Sequence, residues 1–337
     1  MKVWQIQSFG IDKLAWVDLP QPRPGRGEIL VKVHAVSLNY RDLLMVRGHY
    51  NPKMALPRIP CSDGAGEVVE VGEGVTSTSP GQRVAGIFMQ HWLEGPPTAE
   101  SSRGALGGDL DGMLAEYVVL PQGGVVSIPG HLSYSEAATL PCAGVTAWNA
   151  LENAAQVKPG DVVMIQGTGG VSIFALQFAK MVGATVIGTS SSDEKLERAK
   201  AMGLEAGLNY RQSPDWAKWV LKETGNRGAD LIVEVGGAGT FAQSLQAVRF
   251  GGTVAQIGVL SQSEQPLAIA PILHRQVRIH GVYVGSKAHF EAMNRAITAN
   301  RMRPVVDRIF AFGEARDALN ALQEAHHFGK IVIQVVA

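Results

Sequence analysis

Cysteine, net charge and long apolar segments are the scarce features of this 337-residue sequence. The two cysteines, Cys61 and Cys142, are too few for a disulfide framework or a four-cysteine metal site. Basic and acidic residues number 30 each, so no charge excess favours nucleic acid or an anionic membrane as a partner. No apolar run approaches the roughly 20 residues of a membrane span, and residues 1–10 lack the apolar core of a secretory signal. We therefore expect a cytoplasmic protein.

Glycine is abundant instead, with 39 residues in a composition that is 46% hydrophobic and 18% charged. This composition is typical of a folded globular protein. A single core rarely grows beyond roughly 250–300 residues, so a chain of this length is expected to form two domains. The first part has short strand patterns between glycines and prolines, at residues 3–6, 14–17, 29–36, 66–72 and 115–120. They predict a compact, barrel-like β domain.

The pattern changes at about residue 143. Strand patterns at 162–166, 185–189, 230–235, 253–257 and 278–284 alternate with helical patterns at 171–182, 193–202, 214–224 and 240–249. This alternation predicts an α/β fold with a doubly wound parallel sheet. Helices at 288–300 and 314–325 and a last strand at 331–335 follow. Residues 91–112 have no clear period and are expected to form a surface loop, in which His91 and Trp92 either border a pocket or simply pack.

The chain is organised around the strand at 162–166 and the glycine turn after it. Gly167 and Gly169 fit the spacing G-x-G-x-x-G, while Ser172 stands where the third glycine would be and either packs or donates to a ligand. A strand, a tight turn and a helix direct backbone N–H groups and a positive helix end at an anion. The turn therefore predicts a pyrophosphate site. Its residues are Gly167, Thr168, Gly169, Gly170, Val171 and Ser172.

The end of the next strand bears on the choice of cofactor. An NAD site places an acidic residue there, which accepts hydrogen bonds from the ribose hydroxyls. Here the strand ends in Ser190, Ser191 and Ser192, and Asp193 falls in the first turn of the following helix. Hydroxyl groups and a nearby cation, Lys195, would hold a 2′-phosphate that a carboxylate would repel. The sequence thus favours NADP(H).

Three blocks make the whole chain similar to one family. They read Gly81-Gln82-Arg83-Val84, Leu140-Pro141-Cys142-Ala143-Gly144-Val145-Thr146-Ala147 and the glycine turn itself. Together with the β-rich first half, their order and spacing resemble the medium-chain dehydrogenase/reductases. The resemblance implies a GroES-like β domain formed by residues 1–142 and 286–337, with a Rossmann domain of residues 143–285 inserted into it.

Zinc alcohol dehydrogenases of that family carry metal ligands that this sequence largely lacks. Their catalytic cysteine falls within 37–42, which here reads Ser-Leu-Asn-Tyr-Arg-Asp, and their His-Glu pair falls on Ser62 and Asp63. Among the positions where the zinc enzymes carry a metal ligand, only Cys142 has a ligand residue of the same kind in this sequence. Because a catalytic zinc needs three protein ligands, no metal is expected. An alcohol dehydrogenase with an atypical metal site on Asp63 and Cys142 stays open as an alternative.

The block Asn39-Tyr40-Arg41-Asp42 and the intact glycine turn resemble the zinc-free quinone oxidoreductase (zeta-crystallin-like) branch. This resemblance implies that the 2′-phosphate of NADP contacts Lys195 and Tyr210, and that Thr146 lies near the pyrophosphate. It also implies that several strand-end residues run along the ribose and the nicotinamide, namely Val235, Gly236, Ile257, Gly258, Val259, Tyr283, Val284 and Gly285.

A nicotinamide can reduce a polarised double bond or a quinone without a metal, because the cofactor carries the difficult step. We therefore expect hydride transfer from NADPH to a quinone or an α,β-unsaturated carbonyl. Asn39 and Asp42 are candidate catalytic residues that position the substrate, and Tyr50 is a candidate proton donor. Asn39 and Asp42 could instead cap a helix at 40–47, and Tyr50 could simply pack. Some family members have a tyrosine where this chain has Leu44.

Two expectations concern turnover and assembly. An NADPH-binding protein without turnover remains the second alternative to the reductase. The strand at 278–284 would lie at the edge of the parallel sheet, and an apolar edge favours pairing with a second copy, so we expect a homodimer.

Overall fold

A computed structural model describes residues 1–260 and 269–336. Contacts divide the chain into two units, Met1–Val145 with Val284–Ala337, and Thr146–Tyr283. The sequence analysis placed these boundaries at 142/143 and 285/286. Each unit has an apolar core of its own. Among the helices of the described ranges, no apolar stretch reaches the length that a bilayer crossing requires.

The first unit begins with a series of strands and two short helices. In chain order these are β1 (Lys2–Ile6), β2 (Leu14–Asp18), β3 (Glu28–Ser37), α1 (Tyr40–Val46), β4 (Asp63–Val71), β5 (Arg83–Gly86), β6 (Tyr117–Pro121), β7 (Val125–Ser127) and α2 (Tyr134–Ala137). A helical segment then runs from residue 140 to 155, and its α-helical part, α3 (Val145–Trp148), lies between π-helical turns at Leu140–Gly144 and Asn149–Ala155. The sequence patterns did not predict this segment.

The second unit continues from there. Its elements are β8 (Val162–Gln166), α4 (Gly170–Met181), β9 (Thr185–Ser190), α5 (Asp193–Ala201), β10 (Ala206–Asn209), α6 (Trp216–Glu223), β11 (Ala229–Glu234), α7 (Ala238–Ala247), β12 (Val248–Gln256), α8 (Ala270–His274) and β13 (Arg278–Gly281). The chain then returns to the first unit with α9 (Lys287–Ala299), β14 (Val306–Ala311), α10 (Ala315–Glu324) and β15 (Lys330–Gln334).

Strand β3 is the centre of the sheet in the first unit. The sheet runs β14-β15-β3-β4-β5-β7, and β6 also pairs with β3. Strand β15 is antiparallel to β3, with Val332 opposite Ser37 and Ile333 opposite Val36. Continuing that register by two residues places Lys330, the first residue of β15, opposite Asn39. The register thus brings two residues that are far apart in sequence to one place.

The sheet of the second unit is the predicted doubly wound one. Its six strands are all parallel in the order β10-β9-β8-β11-β12-β13, and its helices alternate with the strands along the chain. The four-residue strand β10 was not predicted from the sequence. Strand β13 lies at the edge as predicted, but it ends at Gly281 rather than at residue 284. Ligands bind in such sheets at the carboxyl ends of the strands.

The segment 91–112 contains no helix or strand longer than a single bridge, which agrees with the predicted loop. Trp92 is buried against Phe88, Met89, Ala105 and Val284. Its indole N–H donates to the Gly95 carbonyl at 2.9 Å. Trp92 therefore packs within the first unit, which agrees with the second of the two roles that the sequence left open for it.

Candidate functional site

The glycine turn after β8 forms an open cradle of backbone. Gly167 adopts a φ of +70°, a conformation that favours glycine. A Cβ on Gly167 or Gly169 would meet no atom within 4 Å. The turn leads directly into α4, whose first N–H groups have no partner within the helix. Space for a ligand therefore lies in front of donors at the positive end of a helix.

Ser172, in the place of the third glycine, is buried on the protein side of this turn. Its hydroxyl donates to the Gln166 carbonyl at 2.7 Å. That bond ties the first turn of α4 to the last residue of β8. Of the two roles left open by the sequence, this geometry agrees with packing.

A buried glutamine and glutamate join the turn to the end of β11. Gln166 donates from Nε2 to Glu234 Oε2 at 2.7 Å, and its Oε1 accepts from the N–H groups of Val235 and Gly236 at 3.2 and 3.1 Å. The Glu234 carboxylate also accepts from the N–H groups of Gly236 and Gly237 and from the hydroxyls of Thr240 and Ser244. These bonds hold Val235 and Gly236, two of the predicted cofactor residues, beside the turn.

The end of β12 approaches the same place. The N–H groups of Ile257 and Gly258 donate to the Glu234 carbonyl at 2.9 and 3.1 Å. A Cβ on Gly258 would lie 1.9 Å from the Val235 carbonyl oxygen, so only glycine permits this approach. Val259, the next residue, is exposed. The structure therefore brings together four of the predicted strand-end residues at one end of the sheet.

The other residues predicted along the cofactor are placed separately. Thr146 is buried in α3, and Tyr283 is exposed at the last position of the second unit. Val284 and Gly285 belong to the first unit, where Val284 is buried against Trp92. The cofactor roles of these four residues stay predictions.

The tip of β9 carries the residues predicted to hold the 2′-phosphate. Ser190 is buried, and its hydroxyl accepts from the Ser192 N–H at 3.3 Å. Ser192 in turn caps α5, since its hydroxyl accepts from the Lys195 N–H at 3.3 Å. Ser191 and Lys195 are half-buried at this tip. Ser191 and Lys195 are therefore the better placed of the predicted contacts.

An acidic residue reaches this edge, but its carboxylate is engaged. Asp193 accepts from Asn209 Nδ2 and Gln212 Nε2, both at 2.9 Å. Asn209 is also paired with Ser190 across the parallel strands β10 and β9. Tyr210 follows it with an exposed ring, and the Tyr210 N–H donates to the Ser190 carbonyl at 3.0 Å. Tyr210 and the serine tip are thus neighbours.

A second polar group lies in the first unit, at the start of α1. Asn39 precedes this helix, and its backbone N–H donates to Asp42 Oδ2 at 2.8 Å. The predicted helix at 40–47 is therefore present as Tyr40–Val46. The Asn39 side chain is directed elsewhere, because its Oδ1 accepts from the ammonium of Lys330 at 2.5 Å. Lys330 is only 4% exposed and also donates to the Leu38 carbonyl at 2.5 Å.

The polar group continues from Asn39 to Asp63. Asn39 Nδ2 donates to the Ser62 hydroxyl at 3.5 Å, and that hydroxyl donates to Asp63 Oδ1 at 2.7 Å. The second carboxylate oxygen of Asp63 accepts from the Cys142 N–H at 3.0 Å. Burial raises the pKa of Asp63, and the charge of Lys330 opposes that rise. Lys330, Asn39, Ser62 and Asp63 are hereafter called the polar chain.

Asp42 and Tyr50 lie beside the polar chain and are linked by Arg41. Burial raises the pKa of Asp42 to about 6; the Arg41 guanidinium, 3.5 Å from Oδ1, opposes the rise, and the Asp63 carboxylate adds to it. The Arg41 guanidinium carbon lies 5.6 Å from the centre of the Tyr50 ring, and its Nη1 donates to the Leu106 carbonyl. Tyr50 is 40% exposed. The three predicted catalytic residues therefore lie in one region of the first unit.

Comparison with known proteins identifies the family. Residues 25–130 match the family model described as the alcohol dehydrogenase GroES-like domain, and residues 170–299 match that of zinc-binding dehydrogenases. A zinc-type alcohol dehydrogenase-like protein of Schizosaccharomyces pombe is 43% identical over 98% of this chain and 97% of its own. The chain belongs to the medium-chain dehydrogenase/reductase superfamily.

Solved structures of this superfamily agree in fold. An NAD-dependent alcohol dehydrogenase is 35% identical with a TM-score of 0.92, and the quinone oxidoreductase from Coxiella burnetii is 30% identical with a TM-score of 0.82. The first alignment covers 100% of both chains, and the second covers 100% of this chain and 99% of the other. The protein is thus an oxidoreductase with a GroES-like domain and a Rossmann-like sheet, in a superfamily that binds nicotinamide cofactors.

The name of the second domain model raises the question of zinc, and the residues do not fit that metal. No three histidine, cysteine, aspartate or glutamate side chains converge within residues 1–260 and 269–336. Both oxygens of Asp63 already accept hydrogen bonds. The Cys142 N–H donates to one of these oxygens, and burial raises the pKa of the Cys142 thiol, which disfavours the thiolate that zinc requires. The ammonium of Lys330 adds a cation at this place.

The sequence analysis did not single out Lys330, Gln166 or Glu234. Gln166 and Glu234 could have been noticed in the sequence, because each is a polar residue that ends a parallel strand directly after a run of apolar residues. Ends of neighbouring parallel strands meet at one edge, so such a pair predicts a contact. Lys330 is the first residue of an apolar strand, a position at which a lysine side chain is expected to be solvated. Only the strand register places it at Asn39.

Proposed function

We propose that this protein is a zinc-independent, NADPH-dependent reductase of α,β-unsaturated carbonyl compounds or quinones. The observation that carries the proposal is the polar chain at the positions where zinc members of the superfamily hold their metal. The Ser62 hydroxyl donates a hydrogen bond to Asp63 and accepts one from Asn39. The Lys330 ammonium supplies the local positive charge. Alkoxide stabilisation in a dehydrogenase normally needs a metal or an acidic donor, whereas enone or quinone reduction needs a carbonyl-binding group.

The reaction divides between cofactor and protein. When bound, NADPH would supply a hydride for the β-carbon of the substrate, and the C=C π electrons would shift toward the carbonyl to give an enolate with negative charge on its oxygen. Asn39 is the residue of the polar chain that is 8% exposed and carries N–H donors, so it binds that oxygen. Tyr50, half exposed beside Arg41, is the proposed donor of the proton that the enolate takes at its α-carbon.

The test is turnover of the purified protein together with its metal content. We expect NADPH to be consumed with 2-enals, enones or small quinones, at a rate unaffected by a zinc chelator. Stoichiometric zinc with chelator-sensitive alcohol oxidation would instead establish a metal-dependent alcohol dehydrogenase. NADPH binding without turnover on the whole panel would leave only a binding protein.

The preference for NADP(H) over NAD(H) is part of the same proposal. It is supported by the serine tip of β9, by Lys195 and Tyr210 beside it, and by the engagement of Asp193 with two amides. We expect Lys195→Ala to weaken NADPH binding about tenfold, the loss of one charged contact, without changing NADH binding. Lys200→Ala, one to two turns further along α5, is the matched control. Equal losses for both cofactors would contradict the 2′-phosphate role.

We also propose a homodimer that pairs through β13. Within residues 1–260 and 269–336 this strand pairs only with β12, and Ile279 within it is 41% exposed. An edge strand with an exposed apolar residue is a template for pairing with another chain. Light scattering after size exclusion should give twice the chain mass for the protein and a monomer for Ile279→Lys. A monomeric wild type would refute this assembly.

A further inference from the structure

We propose that Lys330 is a positioning residue that fixes the amide of Asn39 with its N–H groups available to the substrate oxygen. The inference rests on the proposed function for the identity of the substrate, a carbonyl compound that becomes an enolate. It assigns a role to a buried lysine at the other end of the chain from Asn39.

The first step concerns the direction of the hydrogen bonds. An ammonium has three donors and no acceptor, so the atom of Asn39 that faces Lys330 Nζ must be the amide oxygen. The NH₂ group then faces the other way, where the Ser62 hydroxyl accepts from it. Asp63 ends the polar chain with a carboxylate that accepts only, while Ser62 donates to it. A donor-only group at one end and an acceptor at the other leave one orientation for the amide.

The second step concerns what the fixed amide offers. Asn39 Nδ2 carries two hydrogens, and one is directed at Ser62 and the neighbouring Asp63. The other is the one assigned to the substrate oxygen, since Asn39, at 8%, is the most exposed residue of the polar chain. A donor bond to Oδ1 from a full positive charge polarises the amide and strengthens its N–H groups as donors. Lys330 thus makes Asn39 a better partner for an oxygen that gains negative charge during hydride transfer.

The third step concerns charge. The polar chain and its neighbours contain two carboxyl groups, Asp42 and Asp63, whose pKa values burial raises. The Lys330 ammonium opposes this rise for both carboxyl groups, and the Arg41 guanidinium opposes it for Asp42. Removing Lys330 would leave the Asn39 amide beside these carboxyl groups without the cation that polarises it, and its N–H groups would then bind the enolate oxygen less tightly. The lysine therefore supports the transition state more than the uncharged substrate, and its loss should appear in kcat rather than in KM.

The first experiment is a double-mutant cycle on enone reduction with Lys330→Met, Asn39→Ala and the double variant. Methionine keeps an unbranched side chain of similar length without the charge. We expect kcat to fall about tenfold for Lys330→Met, as for loss of a supporting residue, and about 100-fold for Asn39→Ala, as for loss of an oxyanion donor. Because Lys330 acts through Asn39, the double variant should be no slower than Asn39→Ala. Additive losses, or an unchanged kcat in Lys330→Met, would overturn the proposal.

The second experiment reads the amide without turnover. In protein labelled with ¹⁵N-asparagine, the side-chain NH₂ signal of Asn39, assigned by its loss in Asn39→Ala, should move upfield in Lys330→Met. Lys32→Met, a half-buried lysine of β3, should leave it in place. An unmoved signal in a folded Lys330→Met protein would refute the positioning role. Absence of any reductase activity in the wild type would instead refute the proposed function, and this reading would still test the orientation of Asn39.

Discussion

The two units of this protein build their candidate sites in opposite ways. In the second unit the glycine turn is an open cradle of backbone N–H groups, with empty space where a Cβ would stand at Gly167 and Gly169. In the first unit the polar chain consists of side chains that are almost completely buried. Backbone donors recognise a phosphate common to every dinucleotide, whereas buried side chains can be exchanged to suit one reaction. We infer that the first unit holds the chemistry that distinguishes this protein within its superfamily.

The largest expected effect concerns the buried carboxyl of Asp42 and the pH dependence of stability. Its pKa is about 6 in the folded chain against 3.8 in the unfolded one, chiefly because of burial. Between these values the folded state holds a proton that the unfolded state has lost, so this carboxyl lowers the free energy of unfolding as the pH rises from about 4 to about 6. The full shift corresponds to about 3 kcal/mol.

Asp42→Asn removes this titration. The difference in free energy of unfolding between the variant and the wild type, measured with urea, should therefore move in favour of the variant by about 3 kcal/mol between pH 4 and pH 7. A difference that stays constant across this range would show that Asp42 has the same pKa in the folded and unfolded states. The site of the first unit would then not be buried in the way that the comparison of the two units requires.

The open cradle is tested by Gly169→Val. Gly169 has a φ of −77° and a ψ of −178°, an extended conformation that valine adopts without strain, and no atom lies near its Cβ position. The added side chain fills the space proposed for the pyrophosphate, so we expect NADPH to bind about 100-fold more weakly, or about 2.7 kcal/mol. Gly130→Val, at an equally open position of the first unit, is the control. Unchanged NADPH binding in Gly169→Val would place the phosphates elsewhere.

Much of this arrangement could be predicted, and the part that could not has a physical reason. The parallel sheet, the glycine turn and the α1 cap are local patterns, in which neighbouring residues determine the structure. Lys330 and Asn39 are 291 residues apart, and their contact depends on the pairing of β15 with β3. The same holds for the bond between Gln166 and Glu234, 68 residues apart. The burial of Trp92 likewise depends on residues outside its own loop.

The buried glutamate of the second unit shows that backbone recognition also needs side chains behind it. In Glu234→Gln, an NH₂ group replaces one acceptor that faces only N–H and O–H donors, so at least one donor is left unsatisfied. We expect a loss of about 2 kcal/mol in the free energy of unfolding and weaker NADPH binding. Glu223→Gln, exposed at the end of α6, should change stability by no more than about 0.5 kcal/mol. A neutral effect at Glu234 would mean that Val235 and Gly236 are held by other contacts.

The smallest expected effect decides whether the turn uses any side chain for its ligand. The Ser172 hydroxyl donates to the Gln166 carbonyl inside the protein, so Ser172→Ala should cost about 1 kcal/mol of stability, the value of one hydrogen bond. NADPH affinity should stay the same, because the backbone donors of the turn are unchanged. Ser172→Gly, which restores the full glycine motif, should lose a further amount of about 1 kcal/mol, since glycine disfavours a helix. If Ser172→Ala weakened NADPH binding while leaving stability intact, the hydroxyl would contact the pyrophosphate, and the turn would share side-chain recognition with the first unit.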